Sequence, residues 1–206
     1  MARNFLATLA TPAVLREQER YYGRARPVAA DARVDPLGPR EAEFIAERDG
    51  FYMASIGEAG RPDLPPPGGP AGFLRVRSPA TPALPAYADS GGNRQLISTG
   101  NLAVDDRVSL FLMDYAHQRR LKILGHARVA DVREHPELLE GHIVEQGAEV
   151  ERMVTIEVLS FDWNCPQHIT QRFTAAEVKS VLEPMQREIE RLRRKVGEGG
   201  SPGPSR

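Results

Sequence analysis

The residues best equipped for chemistry fall in three short stretches. In the first, Tyr87-Ala88-Asp89-Ser90-Gly91-Gly92-Asn93-Arg94-Gln95, a strand-like start runs through two glycines into an amide and a guanidinium. Glycines let backbone amides converge on an anion, and an arginine fork matches phosphate oxygens. Arg75 and Arg77 are two apart, hence on one face of a strand, and would add positive charge to such a site. The same residues also describe a plain turn with Asn93 as a cap, and spacing alone leaves both readings open.

The second stretch, Arg119-Arg120-Leu121-Lys122-Ile123-Leu124-Gly125, starts with two cations after the polar turn Tyr115-Ala116-His117-Gln118. Charged residues at a strand start are ordinarily just solvated, so this stretch carries little by itself. The third, Phe161-Asp162-Trp163-Asn164-Cys165-Pro166-Gln167-His168-Ile169-Thr170-Gln171-Arg172-Phe173, holds the single tryptophan and the single cysteine beside a histidine and an arginine. A lone thiol next to proline reads as inert packing, so no catalytic role is assigned to Cys165. Trp163 and Arg172 offer an aromatic wall and a cation, a pair suited to flanking a planar, electron-accepting ring.

The elements that must position these groups are mostly short strands. Leu37-Gly38-Pro39 opens a helix through Arg48, with Phe44 and Ile45 on its buried side. Strands are predicted over residues 51–56, 72–76, 84–88, 107–113, 120–129 and 153–161; the last two alternate apolar and polar residues as half-buried strands do. Residues 61–70 hold five prolines and can form only an edge strand or a loop. Helices are predicted over residues 12–22 and 135–146. Thr174-Ala175-Ala176-Glu177 is a capping box, after which Val178, Leu182, Met185, Ile189, Leu192 and Val196 recur at four and three. That stripe either packs on the chain's own sheet or meets a partner subunit, and Pro184 should kink or restart the helix. About six antiparallel strands with flanking helices predict a mainly β, α+β architecture, a barrel or sandwich. The organisation expected is an N-terminal arm over 1–36, one domain over 37–173, a helix over 174–196 and a disordered tail over 197–206.

Composition narrows the function classes. The chain has 206 residues, 41% of them hydrophobic, which suits one core. With 27 Lys and Arg against 28 Asp and Glu, the net charge of -1 supplies no field to attract nucleic acid or an anionic membrane. One cysteine allows no internal disulfide and no thiolate metal site, in keeping with a reducing cytoplasm, and no metal is expected. The first residues lack the apolar core of a signal peptide, and no apolar run is long enough to span a bilayer. There is no GxGxxG fingerprint, Walker loop, HExxH or GxSxG, so hydrolase and nucleotide-triphosphatase readings have no support.

In order along the chain, Gly72-Phe73-Leu74-Arg75-Val76, Gly92-Asn93-Arg94-Gln95, Gly100-Asn101-Leu102, Asp106-Arg107-Val108-Ser109-Leu110-Phe111, Arg120 to Gly125 and Phe161 to Phe173 resemble the pyridoxamine 5'-phosphate oxidase-like flavoproteins. The resemblance covers roughly residues 37–173 and implies a split β-barrel, a homodimer, and flavin mononucleotide (FMN) at the subunit interface. By position it implies that Phe73, Leu74, Arg75, Val76 and Arg77, with Tyr87, Ala88, Asn93, Arg94 and Gln95, hold the ribityl phosphate and the ring edge, and that Arg120 makes a polar contact to the ring. It further implies that Trp163 and Arg172 reach the flavin from the other subunit, with Gln167 and His168 on the substrate side and His168 delivering a proton.

Two departures qualify what is implied. The arginine and histidine set that closes on the substrate phosphate in authentic oxidases is not matched, and Pro65-Pro66-Pro67 stand where relatives carry Gln-His-Arg. The expectation is therefore an FMN-dependent oxidoreductase of this class acting on an unidentified small molecule, with little in the sequence to support pyridoxamine 5'-phosphate itself as that molecule. A deazaflavin-dependent reductase on the same barrel, and a non-catalytic flavin or haem binding module, are the rival readings.

Overall fold

The computed structural model describes residues 3–29, 35–76, 85–90, 93–144, 147, 149–163 and 167–199. Arg77, the glycine pair Gly91-Gly92, Cys165 and most of the predicted tail lie outside the described residues. In chain order the elements are α1 (Arg3–Leu9), α2 (Pro12–Tyr22), α3 (Pro39–Ala46), β1 (Tyr52–Ile56), β2 (Pro62–Asp63), β3 (Arg75–Val76), β4 (Pro85–Asp89), α4 (Ile97–Val104), β5 (Arg107–Asp114), β6 (Arg119–Asp131), β7 (Arg152–Trp163) and α5 (Ala175–Gly199). The architecture is the mainly β, antiparallel one with flanking helices that the sequence predicts.

All seven strands join one antiparallel sheet in the order β2-β1-β5-β6-β7-β4-β3. Its centre is made by the strands whose sequences alternate most regularly. Leu110 and Leu112 of β5, Leu121 and Ile123 of β6, and Ile156 and Val158 of β7 are fully buried on one face. The sheet is strongly coiled. Flat strands lie about 4.8 Å apart, so β1 and β4, four spacings from each other, would be separated by roughly 19 Å. Instead Phe51, just before β1, meets the Tyr87 ring of β4 edge-on with centroids 5.4 Å apart, and Phe73 stacks on Phe51 at 5.8 Å. The two margins of the sheet therefore curl over a shared apolar interior, giving a split, unclosed barrel.

One irregularity sets the bend of the longest strands. Leu124 pairs with Ser160 but Gly125 pairs with Val158, which leaves Leu159 without an opposite residue. The Leu159 carbonyl released by this bulge accepts the backbone N–H of Asp35 at 3.3 Å. A side chain on Gly125 would meet the Glu157 carbonyl oxygen at 2.4 Å, so the close approach of β6 and β7 there requires glycine.

Three expectations are corrected. The predicted strand over 72–76 shrinks to Arg75–Val76, because a turn in which the Phe73 N–H reaches the Pro70 carbonyl at 2.9 Å occupies its start. The predicted helix over 135–146 is a single 3₁₀ turn, Pro136–Leu139; Gly141 leaves helical geometry with φ +73° and its carbonyl accepts from the Arg75 guanidinium. The helix α5 runs through Pro184 without interruption, supported on either side by Lys179–Glu183, Arg187–Glu183 and Arg191–Glu188 pairs. Within residues 1–36, α1 packs on β7 and buries Phe5, while α2 has no buried residue.

Candidate functional site

The coiling that joins the sheet margins also builds a cavity of about 480 Å³ between them. Its apolar wall consists of Met53, Tyr87 and the run Pro65-Pro66-Pro67. The prolines are held flat along β1, because Met53 and Phe51 donate their backbone N–H groups to the carbonyls of Pro65 and Pro67 at 3.1 and 3.0 Å. Tyr87 is buried, and burial pushes its phenol well above the ordinary tyrosine value, so it stays protonated; its hydroxyl faces the Met53 sulfur at 4.0 Å.

The opposite wall is polar. It contains Asn93, Gln95 and the first turn of α4, Ile97, Ser98 and Thr99. Asn93 folds its own loop by accepting the Gln95 N–H at 3.1 Å. Arg94 and Leu96 both sit in the left-handed region, with φ 59° and 55°, a conformation that costs a non-glycine residue energy and recurs at ligand sites. The αL entry at Leu96 provides no side-chain cap, so the leading amides of α4 and the hydroxyls of Ser98 and Thr99 are presented where the helix dipole is positive. Arg152 and Asp89 close the rim as an ion pair at 2.9 Å, and Glu151 accepts a second bond from Arg152 at 2.7 Å. Burial works against the charged guanidinium, but these two carboxylates outweigh it and raise the Arg152 value. An anion entering the cavity would thus meet the backbone amides and two hydroxyls of the α4 start more readily than the neutralised Arg152, and would be kept from the side of Asp63 and Asp89. The residues present fit the two halves of a flavin nucleotide, an apolar wall for a ring and a helix N-terminus with two hydroxyls for a phosphate.

Of the residues singled out from sequence, Tyr87, Asn93 and Gln95 line this cavity, with Ala88 and Arg94 adjoining it in sequence. Phe73 and Leu74 are buried in the core beneath it, Val76 is half-buried against the core, and Arg75 is turned to Gly141. Arg120 lies over the Phe111 ring at 5.8 Å. Trp163 is elsewhere: its indole N–H donates to Glu41 at 2.7 Å, Arg40 lies over its ring at 4.4 Å, and Phe44 meets it edge-on at 4.8 Å. Tyr87 pairs with Val154, nine residues along β7 from Trp163, or about 30 Å of strand. The stretch after it docks on the β5–β6 hairpin, where the Gln118 side chain donates to the Ile169 carbonyl, Gln171 donates to that of Ala116, and Arg172 lies over Tyr115. Gln167 and His168 are exposed there, His168 with φ 66°. A single chain therefore holds the predicted site in two separate parts. Sequence reasoning missed Pro65 to Pro67 as a wall, and Ser98, Thr99 and Arg152; the prolines and the helix start were visible, but not that coiling brings them together.

A second charged cluster is structural. Asp114, 5% exposed, accepts from the His117 backbone at 3.0 Å and from Arg119 at 2.6 and 2.9 Å, with Arg48 at 3.8 Å. Burial alone would raise its pKa, but these donors win and hold it below the ordinary value. A carboxylate lowered in this way contributes stability above its unfolded pKa and loses it as pH falls through the folded one. Asp114→Asn should therefore cost about 2 kcal/mol near neutral pH, moderated because Arg119 and His117 reach solvent. In urea titrations the gap from the parent should close only below the usual carboxylate range; a gap independent of pH would assign the cost to packing.

No protein-family model matches the chain, and no curated protein matches it. Solved structures do. A putative pyridoxamine 5'-phosphate oxidase from Lactobacillus delbrueckii is 15% identical, with a TM-score of 0.47 over 62% of this chain and 93% of that one. HupZ from Group A Streptococcus is 12% identical, with a TM-score of 0.46 over 66% of this chain and 100% of the other. A conserved hypothetical protein from Mycobacterium tuberculosis is 16% identical, with a TM-score of 0.46 over 72% and 96%. Structures described as pyridoxamine 5'-phosphate oxidase-like are thus among those this chain is similar to; at such identities the likeness says nothing of ligand or reaction. Among the described residues no helix is long and apolar enough to cross a membrane.

Proposed function

We propose that the chain binds FMN in the cavity between β1, β4 and α4 and, as a homodimer, exchanges hydride between that flavin and a small organic molecule. The observation that carries this reading is the pairing of an uncapped α4 N-terminus with a proline and tyrosine slot in one cavity. Ser98, Thr99, the leading α4 amides and Arg94 would take the phosphate; Pro65 to Pro67, Met53 and Tyr87 would take the ring. FMN, when bound, supplies the electron-accepting centre, and the chain's contribution is to hold it, exclude water and place charge. Tyr87, kept neutral by burial, can donate its proton in a hydrogen bond without losing it. Trp163, Gln167, His168 and Arg172 would complete the site only from the second subunit, His168 as the proton carrier.

A second reading, a flavin carrier without turnover, is favoured by one feature: the wall of prolines presents no donor and no acid to a substrate. Both are tested by adding FMN and riboflavin to the purified protein. FMN should bind and colour it yellow, and Arg94→Ala should weaken FMN by about 1.5 to 3 kcal/mol while leaving riboflavin unchanged. Equal affinity for the two flavins in the parent would remove the phosphate assignment. Reduction of bound FMN by small donors without passage to any acceptor would favour the carrier.

A further inference from the structure

The helix α5 presents a second surface, separate from the cavity. From Ala175 through Val196 every side chain of this helix is exposed, including Val178 at 43%, Leu182 at 47%, Met185 at 56%, Ile189 at 47% and Leu192 at 48%. Helical stability in proteins comes mainly from packing of an amphipathic face, so an apolar stripe this regular calls for a partner. The spacing is a heptad: Leu182, Ile189 and Val196 fall at a, and Val178, Met185 and Leu192 at d, a seam about 27 Å long. Pro184 falls at c, off the seam, where its missing N–H disturbs no contact.

We infer that α5 pairs with α5 of a second copy of this chain as a parallel, in-register two-stranded coiled coil. The flanking charges select both occupant and direction. Lys179, Gln186 and Arg193 fall at e, and Val181, Glu188 and Lys195 at g. In a parallel pair, g meets e five residues on in the partner, so Glu188 faces Arg193 twice, once on each side. Glu188 bonds Arg191 within its own helix at 2.5 and 2.7 Å, which leaves lone pairs for a second guanidinium. The antiparallel alternative that matches a with d layers sets Glu188 against Glu188 and Lys179 against Arg193, both repulsive. In the C-terminal half of the seam, Ile189 and Val196 at a with Leu192 at d also suit two strands.

The test uses the full-length chain with Cys165→Ser, carrying either Leu182→Cys or Leu192→Cys, oxidised singly and as an equimolar mixture. Parallel pairing makes each variant cross-link to itself, with mixed product in the mixture no more than statistical. Dominant mixed product would establish the antiparallel pair and overturn the inference, as would failure of both variants to cross-link while circular dichroism shows α5 intact. Adding Glu188→Lys to the Leu182→Cys chain should lower the yield about tenfold, by turning two attractions into repulsions, and Arg193→Glu on top should restore it. A yield indifferent to Glu188→Lys would overturn the register.

Discussion

Replacing Ser98 with aspartate should reduce FMN affinity on the order of 100-fold, or about 3 kcal/mol, while riboflavin affinity holds. Ser98 is half-buried in the first turn of α4 and lines the polar wall of the cavity. A carboxylate there would stand within a few ångströms of the phosphate proposed to sit on that turn, two like charges in a partly desolvated space. The same substitution is benign for the fold, because an acidic residue in a first helical turn meets the positive end of the dipole and adds roughly 0.3 to 1 kcal/mol. Stability and binding should therefore move in opposite directions, which separates loss of a site from loss of structure. Calorimetric titration with both flavins, beside thermal melts, reads both. Parallel losses of FMN and riboflavin would mean that α4 faces the ring and not the phosphate, and unchanged FMN binding would remove the cavity as the site.

The largest stability effect expected is at the β6–β7 bulge. Gly125→Val should destabilise the protein by roughly 3 to 5 kcal/mol, since its Cβ would lie 2.4 Å from a backbone carbonyl and 3.1 Å from Ile156. A flexible neighbour could swing aside; the Glu157 carbonyl is fixed by the ladder, so the strands themselves would have to part. Gly100→Ala is the internal control. Gly100 sits within α4, and an alanine Cβ there would have no neighbour within 4 Å, so the substitution should raise stability by about 1 kcal/mol. Chemical denaturation of the two variants measures both. A loss under 1 kcal/mol for Gly125→Val would show that the bulge relaxes.

These two glycines also illustrate what was legible in the sequence. Both occur in stretches on which the resemblance was drawn from sequence, yet nothing local distinguishes a glycine demanded by a neighbouring carbonyl from one that merely interrupts a helix. The long strands β5, β6 and β7 were readable because alternation over eight or more residues reflects burial of one face. The start of α5 was readable because Thr174 and Glu177 cap each other through residues three apart. The two-residue strands β2 and β3 were legible only in outline, as an edge strand or loop over 61–70 and a strand over 72–76, because so short a strand has no period to fix its bounds. Half of the candidate site escaped for a different reason. Tyr87 and Asn93 belong to one contiguous motif, whereas Pro65 to Pro67 and Arg152 join them only through the coiling of a whole sheet, a long-range outcome that no window of sequence contains.

The prolines of the cavity wall have one more consequence. β2 is a margin of the sheet, and an unpaired margin normally invites another strand to add itself, the first step toward fibrillar association. Pro65 and Pro67 face β1, and the outward-facing Pro62 and Pro66 before and between them have no N–H to offer such a newcomer, so this margin is chemically blunt. Gln-His-Arg, the stretch that the resemblance leads one to expect in place of Pro65-Pro66-Pro67, would put an amide hydrogen at position 66 on the open side of this margin. Restoring those polar side chains to enrich contacts with a bound ring would therefore also reopen the margin, and the engineered chain should lose solubility at high concentration before it loses its fold.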